Sequence, residues 1–78
     1  MKQELIIMAG LLLKMTSRNH RHVISQYMSA VNKDDMHLAR LISDEIMDYF
    51  VEKDEDATKI ELSEKLYDKT MEYFKLNK

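Results

Sequence analysis

The chain has 78 residues, no cysteine, no proline and one glycine, and 45% of its residues are hydrophobic against 33% charged. That is the composition of a globular rather than a disordered chain, and it excludes disulfides, thiolate metal sites and cysteine nucleophiles. A formal net charge of −2 is not the basic balance of a dedicated nucleic-acid binder, and so few Gly and Pro residues exclude a turn-rich strand fold in favour of an all-α one.

The first predicted helix runs from Lys2 to Met15. At about 100° per residue, Leu5, Met8, Ala9, Leu11, Leu12, Leu13 and Met15 spread around roughly two-thirds of its circumference. Only Gln3, Gly10 and Lys14 keep a narrow strip polar or small, and Ile7 interrupts it. A helix apolar on so many sides is expected to be sandwiched, by its own chain or by a second molecule. The apolar run is too short to cross a bilayer, which takes about 20 residues. Nor does Lys14-Met15-Thr16-Ser17-Arg18 resemble a signal-peptide cleavage site. A cytoplasmic location is expected, in keeping with the absence of cysteine.

Thr16 to Asn19 breaks the apolar period and offers hydroxyl and amide groups as caps, although helices one and two could also fuse. The second helix, from Arg18 to Val31, places Val23, Ile24, Tyr27, Met28, Ala30 and Val31 on one face. Asn32 is the expected N-cap of the third, with Asp34 and Asp35 in its first turn beside the positive end of the helix dipole. Leu38, Ala39, Ile42, Ile46, Tyr49 and Phe50 form its inner face, flanked by Met36 and Met47. Leu41 and Val51 fall among charges and are expected to be exposed. Residues 53–56 are the best loop. Thr58 and Glu61 then fit a capping box, opening a fourth helix that reaches about Leu76 with Ile60, Leu66, Tyr67, Met71 and Phe74 inward. Ser43 and Ser63 lie in apolar faces, where a hydroxyl can bond the carbonyl one turn back.

Charge is unevenly distributed. Lys2, Lys14, Arg18, Arg21, Lys33 and Arg40 outnumber Glu4, Asp34 and Asp35 in residues 1–43, whereas residues 44–78 are acidic. Such a split suits antiparallel packing of one half on the other, or head-to-tail contacts between molecules.

No motif specifies a reaction. The serines sit at caps or on helix faces without an acid–base partner. His37, Asp44 and Asp48 share a helix face at spacings found on any solvated helix, so no metal or cofactor is assigned. Asp34 and Asp35 at the start of the third helix, with Asp44, Glu45 and Asp48 further along, argue against a helix-turn-helix reading DNA.

The expectation is an all-α, three- or four-helix bundle, one domain over residues 1–78, associating through helix 1. Its expected role is a non-enzymatic interaction module (a regulator, inhibitor or adaptor) that forms a homodimer and docks on a further protein. Ile7, Leu11, Leu12, Met15, Leu41 and Val51 are the candidate contact residues. The alternative is a nucleic-acid-binding regulator using Lys14, Arg18, His20, Arg21 and His22. That segment holds few cations and no neighbouring base-stacking aromatic in sequence. Lys-, Asn-, Ile- and Met-rich usage suits a bacterial, plasmid or phage genome.

Overall fold

The computed structural model describes residues 2–53 and 56–76, all of whose regular structure is helical. The helices are α1 (Lys2–Met15), α2 (Arg21–Asn32), α3 (Met36–Glu52) and α4 (Ala57–Tyr73), with a short 3₁₀ turn over Arg18–His20. α1 and α2 are thus separate helices. Asp54 and Glu55, within the expected loop, lie outside the described residues.

Each helix packs on two others: α1 on α2 and α4, and α3 on α2 and α4. Lys2 Nζ donates to the Asn32 carbonyl at 3.3 Å, and Tyr73 donates to Asp34 Oδ1 at 3.3 Å. These contacts gather the start of α1 and the ends of α2 and α4 at one end of the bundle. At the other end the His20 ring stacks on Tyr49, near the close of α3. The result is an up-down-up-down four-helix arrangement with α1 diagonal to α3.

The core follows the periodicity. Leu5, Ala9 and Leu12 of α1 meet Ile24, Tyr27, Ala30 and Val31 of α2. Ala39, Ile42, Ile46 and Phe50 of α3 and Leu66 of α4 complete the cluster. Polar groups inside it are bonded. Ser43 and Ser63 donate to the Arg40 and Ile60 carbonyls, each at 2.8 Å, as their positions suggested. Thr70 donates to the Leu66 carbonyl at 2.6 Å, so its oxygen is left to accept from the Tyr27 hydroxyl, also 2.6 Å away. That bond ties α2 to α4 across the diagonal.

The helix ends depart from expectation. Asp35, not Asn32, caps α3 by accepting from the Leu38 amide, and Asp56, not Thr58, caps α4 by accepting from the Thr58 amide. Thr58 and Glu61 therefore lie inside the helix, and the capping box does not form. In each case an Asp carboxylate stands at the N-cap position and accepts a charge-assisted bond from a first-turn amide. α2 and α4 close with left-handed residues, Asp34 (φ 56°) and Lys75 (φ 57°). Asp35 N–H then reaches the Ala30 carbonyl at 2.9 Å, and Leu76 N–H the Met71 carbonyl at 2.8 Å. This is the Schellman closure, here without glycine, and it ends α4 at Tyr73 rather than Leu76.

Two ion pairs between helices or their ends do not follow the charge split. Lys2–Asp34 (3.3 Å) lies within the basic half, and Lys69–Glu4 (3.8 Å) pairs a base of the acidic half with an acid of the basic one.

Candidate interaction surfaces

α1 meets its own chain on most of its circumference. Leu5, Ala9 and Leu12 are fully buried, and Ile6, Met8, Leu13 and Met15 pack against the core. Leu12 is therefore removed from the candidate contact set: it points at the bundle axis, where the chain itself covers it. Met15 is half-buried and belongs to the rim of the core. Ile7 and Leu11 remain outside, 59% and 48% exposed. They stand one turn apart on the side of α1 opposite Leu5 and Leu12. The premise that so short a chain leaves most of this helix uncovered is corrected, since two neighbouring helices suffice for all but one stripe.

Exposed apolar residues also lie on α3, where Leu38 and Leu41 stand one turn apart and form a second apolar edge. Leu41 and Val51 are exposed, in keeping with their place among charges. Leu38 and Met36, expected to face or flank the core, are also exposed, at 42% and 38%. Leu38 sits at the margin of the buried arc and forms one wall of an open groove between α2 and α3. Gln26, Ser29 and Lys33 form the opposite wall, with Ala30 and Ile42 at its base, and its volume is about 350 Å³. A signal was available: the residues of α2 that face Leu38 are polar or small and cannot cover a leucine.

The basic segment occupies the α1–α2 junction. Lys14, Arg18, Arg21 and His22 are exposed, but His20 is drawn inward. Its ring lies 3.6 Å from that of Tyr49, centroid to centroid, at an interplanar angle of 12°. Partial burial there pushes its pKa below the ordinary 6.5, and neighbouring His22 and Lys53 act in the same direction while Glu45 opposes. Tyr49 was missed as a partner of this segment because it lies far away in sequence. The stack occupies one face of each ring, which reduces what either offers to a nucleic-acid base.

Chemistry elsewhere is sparse. Among the described residues no three His, Asp or Glu side chains gather in a way that would hold a metal ion. Burial pushes the Tyr27 phenol up to about 12, with the Thr70 hydrogen bond acting the other way. That group is sealed in the core, out of reach of a substrate. Among the described residues, no helix is long and apolar enough to cross a membrane.

No family model matches the chain, and neither a curated protein nor a solved structure matches it.

Proposed function

We propose that this protein is a small cytoplasmic interaction module, not an enzyme, which forms a homodimer through the outer face of α1 and presents its remaining apolar edge to another protein. The observation that carries this reading is the exposed Ile7–Leu11 pair on a helix whose other large apolar residues are covered. Two branched aliphatic side chains one turn apart form a stripe that a second helix can bury. The open groove beside Leu38 provides a second apolar edge for a further partner. Binding nucleic acid through Lys14, Arg18, His20, Arg21 and His22 is the weaker reading, since His20 is engaged with Tyr49 and Glu45 contributes negative charge beside it.

The test is the mass of the protein in solution by analytical ultracentrifugation, across a concentration series, for the native chain and for Ile7→Glu and Leu11→Glu. The native chain should exceed its 9.3 kDa protomer mass, and both variants should fall back to it with unchanged helicity. A native chain that stays monomeric throughout the series would refute the homodimer. Generic duplex DNA at low salt serves the alternative, which requires binding that is abolished in the Arg18→Ala/Arg21→Ala variant.

A further inference from the structure

The exposed stripe of α1 is more than two aliphatic residues. Glu4, Ile7, Leu11 and Lys14 follow one another at spacings of three, four and three, the seam of a heptad. They lie along the side of α1 roughly opposite its buried line of Leu5, Ala9 and Leu12. The seam has an acid at one end, a base at the other and the two apolar residues between them. Its midpoint falls at Ala9, so reversing it end for end places Glu4 over Lys14 and Ile7 over Leu11.

We infer that a second copy of this chain packs on this seam with its α1 antiparallel. Rotation about a two-fold axis that crosses the seam at the level of Ala9 brings Glu4 to the partner's Lys14 and Ile7 to the partner's Leu11, and each pairing then occurs twice. A parallel arrangement would set Glu4 against Glu4 and Lys14 against Lys14, which is repulsive at both ends. Gly10 fits the same geometry. It flanks the seam beside the axis, and a Cβ built on it meets nothing within 4 Å, so packing within the protomer does not require a glycine there. A bare backbone at that point lets two helices approach closely. Glu4 already touches Lys69 at 3.8 Å, but its side chain is 49% exposed, and so loose a surface pair does not hold it from a partner.

This inference rests on the homodimer proposed above and adds its orientation, so the experiment must separate the two. Dimer dissociation is measured by ultracentrifugation at low salt for Glu4→Lys, for Lys14→Glu and for the double exchange Glu4→Lys/Lys14→Glu. Each single exchange should weaken the dimer on the order of tenfold, because symmetry turns two attractive pairs into two repulsive ones. The double exchange should restore it, which also excludes loss of folding as the cause. The chain has no cysteine of its own, so Glu4→Cys and Lys14→Cys chains can be mixed and oxidised. The antiparallel seam yields the cross-linked pair of unlike chains, since equal positions lie roughly 15 Å apart along the helices. A dimer indifferent to the single exchanges, or one that joins position 4 to position 4, overturns the orientation and leaves the homodimer standing. A native chain that is monomeric at every concentration overturns both.

Discussion

At the scale of single residues, the bond from Tyr27 to Thr70 is the most consequential polar contact in the molecule. Both residues are fully buried, and each hydroxyl is satisfied, Thr70 by donating onward to Leu66. Removing one partner leaves the other with a desolvated polar atom, whereas removing both leaves none. Tyr27→Phe should cost about 1 kcal/mol and Thr70→Val about 2 kcal/mol, the latter more because a phenol proton is stranded. The double variant should cost clearly less than the sum, read as a double-mutant cycle by urea denaturation. Strict additivity would mean that the two hydroxyls do not depend on each other. The stacked His20 carries a pH prediction. Its pKa is lowered on folding, so just below 6.5 the unfolded chain binds the proton more readily than the folded one. Stability from this site therefore rises as pH increases through that window and is lost on acidification. His20→Phe keeps a ring on Tyr49 without a titrating nitrogen. The melting temperature of the native chain should fall, relative to that variant, as pH drops through this interval; parallel curves would contradict the assignment.

At the scale of helices, the sequence marked interiors well and ends poorly, for a definite reason. Apolar spacing located all four helices and nearly every core residue of α2 and α3, because burial of one face is a property of the whole segment. The ends were misplaced because the usual punctuation is missing. With one glycine in the chain, both left-handed closures fall on other residues, Asp34 and Lys75, and nothing in local composition announces them. Likewise two aspartates, rather than the nearby Asn32 and Thr58, supply the caps. The candidate surface was legible in part: Ile7, Leu11, Leu41 and Val51 are exposed as drawn from spacing, while the burial of Leu12 depended on which helices flank α1. Lys75 now offers a test of the closure. A left-handed conformation strains a side chain with a Cβ by about 1–2 kcal/mol, and glycine relieves it. Lys75→Gly should therefore raise stability by about 0.5–1 kcal/mol, seen as a higher melting temperature; a loss would indicate that the Lys75 side chain stabilises the end of α4.

At the scale of the molecule, the topology makes a kinetic prediction. Each helix packs on the next in the chain, and α4 returns to α1, so only that last pairing closes a long loop. Chains dominated by contacts between successive helices fold on microsecond to millisecond timescales. The usual sources of slower phases are missing here, because the chain has neither a proline to isomerise nor a cysteine to pair. Refolding of dilute protein from urea, followed by stopped-flow circular dichroism, should therefore be a single fast exponential with no component lasting tens of seconds. The homodimerisation proposed above predicts a second step whose rate grows with protein concentration. Ile7→Glu should abolish that step and leave the first unchanged, since Ile7 lies outside the core. Leu12→Ala acts on the opposite side of the same helix. Emptying that buried position costs about 2–5 kcal/mol, a large share of what a domain this small can hold, so it should speed unfolding or prevent folding altogether. A slow phase that persists at every dilution would contradict this topology, because neither a bond isomerisation nor an assembly step could account for it.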